Sequence, residues 1–290
     1  MKLFLHIVVV LFFASDDFYS HAAEAGPAAP TAREWNTRGI ELSRKGEAQS
    51  AVDAFSQAIQ MAPKLADAYV NRAIVYIGLK NWKKAEADCT MAIKLDADNT
   101  RSYHQRAIIR SQMGLHEAAF ADASRAARMD PTNPSVIFTR YLTCSRSGRH
   151  ELAHFAGETY IGLQSWSDIW SPYMAFLNNI SLRRAGYEEE SRAILNEAVK
   201  WLDAVKWPMP ILIYLQGGLD AEQLLALAID KDRQTLAHYY IGANEWLNGN
   251  AAAARIHFEW VSNNGNKDFL QHMLVEDHLK ELDSAGADNQ

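Results

Sequence analysis

The pattern of hydrophobic, small and charged residues in the first half of the chain repeats with a constant period. Arginine marks this period most clearly, at Arg38, Arg72, Arg106 and Arg140, each 34 residues after the last. Pro63 and Pro131 set the phase, and they divide the chain into repeats at 32–65, 66–99 and 100–133. A fixed period of roughly 20–50 residues is the sequence signature of stacked supersecondary units. The pattern therefore predicts a repeat protein.

Large and small side chains occupy fixed positions within each repeat, counted from its first residue. Aromatic residues stand at position 4, as Trp35, Tyr69 and Tyr103. Small residues stand at positions 8, 20 and 27, as Gly39, Ala73, Ala107, Ala51, Ala85, Ala119, Ala58, Ala92 and Ala126. Two antiparallel helices pack closely where small side chains let their backbones approach. Each repeat is therefore predicted to be a hairpin of a first helix, A, and a second helix, B.

This arrangement resembles the tetratricopeptide repeat (TPR), a helical hairpin of the same length. The resemblance is strongest over residues 32–133, and it implies an all-α superhelix of helical hairpins with no sheet. The register fades through 134–282, which is predicted to hold degenerate TPR-like repeats, the clearest at 235–268, and a capping helix from 268 to 282. Residues 283–290 are predicted to be a disordered tail.

The clearest late repeat resembles, more specifically, the NlpI-type TPR proteins of the bacterial periplasm. The residues that carry this resemblance are Tyr239-Tyr240-Ile241-Gly242, Asn248-Gly249-Asn250, Ala253-Ala254 and Phe258. The resemblance implies an adaptor for proteases and cell-wall enzymes. Those proteins are lipoproteins, whereas the first cysteine of this chain is Cys89, so a lipid anchor is not predicted.

The residues before the repeats are typical of an export signal. Lys2 precedes an apolar stretch from Leu3 to Ala14, and Ser20-His21-Ala22 is a small-x-small cleavage site. Such a short stretch falls below the roughly 20 residues that span a bilayer, so no stable membrane span is predicted. We expect removal of residues 1–22, a flexible lead-in at 23–31, and a secreted or periplasmic protein. Retention of the apolar stretch as an anchor is the alternative.

Charge and motifs narrow the function classes further. The chain carries 29 Lys and Arg against 35 Asp and Glu, a net charge of −6 without a long run of like charges, so nucleic acid is not a predicted partner. No glycine-rich phosphate loop follows a strand, and no nucleophile elbow is found. The sequence therefore predicts a non-enzymatic scaffold that binds a protein or peptide segment and needs no cofactor.

One short motif raises an enzymatic alternative. His150-Glu151-Leu152-Ala153-His154 matches HExxH, which on a helix sets two histidines on one face to hold zinc beside a glutamate general base. However, the register places Ala153 at position 20, where packing already requires alanine. The extended motif would need a third ligand where Tyr160 stands. A structural role is therefore favoured, and a zinc-dependent peptidase is the alternative.

The predicted partner-binding groove follows from the family resemblance, because helix-A positions 2, 5, 9, 12 and 13 line the inner wall of a TPR superhelix. Its predicted members are Asn36, Ile40, Val70, Ile74, Ile77, His104, Ile108, Phe138 and Leu142. Position 9 is apolar in four consecutive repeats, which a fully solvated groove would not favour. The row is expected to contact a protein segment; packing against the chain's own helices, or against a second copy in a homodimer, is the alternative.

The four arginines at position 7, here called the arginine ladder, are predicted to be structural. A buried guanidinium needs a carboxylate or backbone acceptor, and Asp88 and Asp122 at position 23 are the candidate partners. Cys89 and Cys144 fall on helices that a whole hairpin separates, so both are expected to be free and buried.

Overall fold

The structure, a computed structural model, describes residues 30–204 and 206–287. All regular secondary structure in these residues is helical, which confirms the predicted all-α class. The predicted signal peptide, 1–22, and most of the lead-in at 23–31 lie outside the described residues. The chain divides into two compact units between Thr143 and Cys144.

Three complete helical hairpins make up most of the first unit. Its helices are α1 (Ala32–Arg44), α2 (Ala48–Met61), α3 (Ala66–Gly78), α4 (Trp82–Leu95), α5 (Thr100–Gln112), α6 (His116–Met129) and α7 (Pro134–Arg146), the last of which runs across the division. Each A helix packs on the B helix that follows it, and α3 also contacts both α1 and α5. Every A helix of these hairpins begins at the first residue of its 34-residue repeat.

Local signals explain where the helices of the first unit begin and end. Thr31 forms a capping box with Glu34, and the side chains of Asn81 and Asn99 cap α4 and α5. The turn between helices A and B needs a left-handed residue, and Gly46 has φ +81° there.

Small residues set how closely the paired helices approach. A Cβ atom added to Gly39 on α1 would lie 2.6 Å from the ring of Phe55 on α2. Ala51, Ala85 and Ala119, all at position 20, have no exposed surface. The packing that the repeat pattern predicted is therefore present.

The second unit continues with helical pairs of less regular length. Its helices are α8 (His150–Gln164), α9 (Ser171–Arg184), α10 (Glu188–Val199), α11 (Met209–Leu215), α12 (Ala221–Leu227), α13 (Lys231–Leu247), α14 (Ala251–Asn264) and α15 (Leu270–Ala287). A Cβ atom on Gly242 would lie 2.7 Å from the ring of Phe258, which repeats the contact between positions 8 and 24 that Gly39 and Phe55 make in the first unit.

The last helix, α15, packs against α14. Glu281 on α15 accepts a hydrogen bond from Arg184 on α9 at 2.7 Å, and Asp277 pairs with Arg146. The helix continues to Ala287, five residues into the segment predicted as a disordered tail. Among the residues that the structure describes, none of the helices is both long and apolar enough to cross a membrane.

Candidate functional site

Two arginines of the ladder form ion pairs within the first unit. Arg72 donates from Nε and Nη2 to the two carboxylate oxygens of Asp88, each at 2.8 Å. Arg106 makes the same two bonds to Asp122, again at 2.8 Å. These fork-to-fork pairs are the strong form of the interaction. The predicted structural role is confirmed for these two arginines.

Each of these arginines also reaches back to the preceding repeat. Arg72 Nη1 donates to the Ser56 hydroxyl at 2.9 Å, and Arg106 Nη1 donates to the Thr90 hydroxyl at 3.2 Å. The bonds to aspartate raise the pKa of both guanidinium groups above its usual value. The ladder therefore joins the B helices of successive repeats.

The middle of the predicted groove is interior rather than surface. Val70, Ile77 and His104 are at most 9% exposed, and Ile74 is 4% exposed. Ile74 and Val70 pack with Ala92 in one core cluster. Ile77 packs in another, which includes Ile109 of the following repeat. These four predicted groove residues thus contribute to the core of the first unit.

Side chains at position 5 of the repeat contact the A helix of the following repeat. Asn36 Oδ1 on α1 accepts a hydrogen bond from Asn71 Nδ2 on α3 at 3.0 Å. His104 Nε2 on α5 lies 2.9 Å from Thr139 Oγ1 on α7. The Thr139 hydroxyl donates to the Ser135 carbonyl, so its oxygen accepts from the imidazole of His104. Side chains at this position therefore fasten one repeat to the next.

Five predicted groove residues keep part of their side-chain surface exposed. They are Asn36, Ile40, Ile108, Phe138 and Leu142, and together they are called the helix-A surface below. All five belong to A helices of the first unit. Ile40 borders a core cluster that contains Phe55. Four of the five are apolar, and a partly exposed set at matching repeat positions can contact a protein segment; it contains no group that does acid, base or nucleophilic chemistry.

The polar residues at position 6 were not among the residues predicted from the sequence to matter for the groove. Asn71, Gln105 and Thr139 are all at most 4% exposed. The A helices therefore bury a polar side chain at position 6 as well as carrying an apolar one at position 9. The signal was present, because position 6 is polar in four consecutive repeats, starting with Thr37.

The HExxH segment makes contacts within the second unit. Glu151 accepts a hydrogen bond from the Tyr187 hydroxyl at 2.9 Å, and His154 Nδ1 lies 3.2 Å from Asn178 Nδ2. Burial lowers the pKa of His150 to about 4. In the part of the chain that the structure describes, no three His, Cys, Asp or Glu side chains are grouped so that they could hold a metal ion. The contacts support the structural interpretation of this segment.

The two cysteines are free and buried, as predicted. Burial raises the pKa of the Cys89 thiol, which keeps it protonated and unreactive at neutral pH.

Comparisons with known proteins bear on the repeats. A family model described as tetratricopeptide repeat matches residues 66–99. The chain is 38% identical to mitochondrial import receptor subunit TOM34 of Rattus norvegicus over 65 residues, 22% of this chain and 21% of the relative. It is 33% identical to E3 ubiquitin-protein ligase CHIP of Arabidopsis thaliana over 70 residues, 24% of this chain and 25% of the relative. The chain thus spans a quarter or less of the length of these curated relatives.

Solved structures resemble a larger part of the chain. The crystal structure of MamA has a TM-score of 0.53 at 15% identity, and it covers 59% of this chain and 91% of MamA. YrrB, described as a TPR protein with an unusual peptide-binding site, has a TM-score of 0.54 at 15% identity and covers 65% of this chain and 92% of YrrB. Likeness at this identity concerns the fold alone. The chain therefore contains tetratricopeptide repeats and has the all-α tetratricopeptide-repeat fold.

Proposed function

We propose that this protein is an exported, non-enzymatic adaptor that binds a segment of another protein on its helix-A surface. The observation that carries the proposal is the partial exposure of Ile40, Ile108 and Leu142, which occupy the same position of three different repeats. Partly exposed apolar side chains at the same repeat position offer contacts to an extended or helical segment on either side of the buried Ile74. A partner would remove the remaining apolar surface from water.

Several observations support protein binding over catalysis. Two buried aspartates of the first unit are held by arginines: Asp88 pairs with Arg72, and Asp122 pairs with both Arg106 and Arg110. The relatives named above include an import receptor subunit, and YrrB is described by its peptide-binding site. The zinc-peptidase alternative has less support, because Glu151 already accepts a hydrogen bond from Tyr187.

The proposed location and process depend on other residues. The export signal predicted within residues 1–22 supports a secreted or periplasmic protein, and the NlpI-type resemblance of the late repeat supports a link to periplasmic proteolysis or cell-envelope maintenance. Intact-mass measurement of the protein from its producing cells tests export. A mature chain that begins after Ala22 is expected, and a cytoplasmic chain that keeps Met1 would contradict it.

Substitution of the helix-A surface tests the binding site. Changing Ile40 and Ile108 to aspartate places charge in a contact that partner binding would desolvate, so capture of the partner should fall at least about tenfold. The matched control changes Met61 and Met91 to aspartate, because these residues are 51% and 39% exposed on B helices. Affinity capture with mass spectrometry, together with circular dichroism melting, measures both properties.

The outcomes separate the three interpretations of the row. Loss of a partner from the folded Ile40 and Ile108 variant, with capture retained by the control, is the expected result. Loss of self-association in analytical ultracentrifugation instead would identify the surface as a homodimer contact. Undiminished capture by a folded variant would rule the surface out.

A further inference from the structure

The arginine ladder follows a spacing rule that two repeats obey in full. Arg72 bonds to Ser56, 16 residues before it, and to Asp88, 16 residues after it. Arg106 bonds to Thr90 and Asp122 at the same two spacings. Each of these two guanidinium groups therefore donates hydrogen bonds to a hydroxyl group 16 residues before it and to a carboxylate group 16 residues after it.

Arg140 is the next arginine of the ladder, but it makes neither the hydrogen bond to a hydroxyl group nor the pair of hydrogen bonds to a carboxylate group. Ser124 stands 16 residues before it, and the residue 16 after it in the sequence is Ala156, which has no carboxylate. Among the residues that the structure describes, Arg140 Nε is buried without a hydrogen-bond partner, and so is the hydroxyl of Ser124, a residue only 9% exposed. Buried polar atoms almost always have a hydrogen-bond partner in folded proteins. Two buried atoms without one, at equivalent positions of a regular repeat, therefore need an explanation.

The neighbouring charges do not supply the missing anion. Asp122 on α6 is engaged by Arg106 and Arg110, and Asp130 Oδ2 accepts a hydrogen bond from Asn133. The helix α7, which carries Arg140, has arginine but no acidic residue along its length. Neither of these aspartates, nor any residue of α7, is therefore available as a carboxylate partner for Arg140.

We propose that the guanidinium of Arg140, together with the hydroxyl of Ser124, is a binding site for a carboxylate group that comes from outside the chain. The Arg72 and Arg106 pairs show the form that such a contact takes in this fold, with two N–H groups donating to the two oxygens of one carboxylate. Residues two apart do not share a helix face, so this site is separate from the surface that carries Leu142. The proposal therefore does not depend on the proposed function.

Melting of two variants tests whether Arg140 lacks an internal partner. Arg140→Gln is expected to leave the melting temperature unchanged or raise it, because no carboxylate of the described residues loses a partner and the buried Nε without a hydrogen bond is removed. Arg72→Gln, the matched control, is expected to lower it, because Asp88 loses its partner. A fall for Arg140→Gln as large as that for Arg72→Gln would show that Arg140 is already paired within the chain, and would overturn the proposal.

Calorimetric titration tests the ligand. The probes are succinate and a hexaglutamate peptide, with hexaglutamine as the uncharged control, all at low ionic strength. Binding of at least one carboxylate probe, weakened about tenfold or more by Arg140→Gln, is expected. The probe that binds identifies the source as a small molecule or an acidic protein segment. Absence of binding by both probes, or equal weakening by Arg128→Gln, which removes an exposed arginine from α6, would overturn the site.

Discussion

At the scale of single residues, the two completed steps of the arginine ladder differ in how many cations hold the aspartate. Asp88 pairs with Arg72, whereas Asp122 pairs with Arg106 and also accepts from Arg110 Nη1 at 2.8 Å. Arg72→Gln should therefore lower the free energy of unfolding by about 3 kcal/mol, because it strands a buried carboxylate. Arg106→Gln should cost clearly less, because Arg110 remains. Urea unfolding measures both, and equal losses would contradict the account.

Buried histidine gives the protein a predictable response to acid. Burial lowers the pKa of His104 from 6.5 to about 4, so the unfolded chain binds a proton that the folded chain excludes. The contribution of His104 to stability is therefore full above pH 6.5 and is lost as the pH drops towards 4. His104→Gln, which keeps a donor for Thr139, should flatten this fall. Melting temperatures across this range test it, and parallel curves for the variant and the parent would count against the assignment.

At the scale of the element, the turn between helices A and B shows one departure from the repeat. Gly46 and Gly114 have positive φ at position 15, and in the second repeat Lys80 adopts φ +55° there. A residue with a side chain is strained in this conformation, so Lys80→Gly should stabilise the protein by about 1 kcal/mol. Gly46→Ala, as the control, should destabilise it by a similar amount. Thermal unfolding measures the change in stability of both variants. A loss of stability in Lys80→Gly would contradict the proposed backbone strain at Lys80.

The helical hairpins could be predicted from the sequence because their contacts are local. Gly39 and Phe55 meet across one hairpin, 16 residues apart, and the pairing of Arg72 with Asp88 has the same spacing. Contacts between residues at a constant separation along the chain, repeated in each hairpin, produce a periodic pattern of residue types in the sequence.

At the scale of the whole chain, the extent of the helix-A surface could not be predicted in the same way. The groove positions of a generic repeat include position 5, yet His104 at that position is fully buried against the next A helix. How far such a side chain is covered depends on the approach of consecutive A helices, which the residues of both helices decide together. The sequence therefore predicted nine groove residues, and the structure was needed to show which five of them are partly exposed.

The measurement that tests the central claim most directly is photo-cross-linking from single positions of the folded protein. A photoreactive phenylalanine analogue replaces Ile108 on the helix-A surface, or Met91, 39% exposed on helix α4, as the control. After irradiation in an extract of the cells that produce the protein, mass spectrometry identifies the attached peptide. The account predicts cross-links to one protein segment from position 108 and none from position 91. Cross-links to that segment from position 91, with none from position 108, would contradict it.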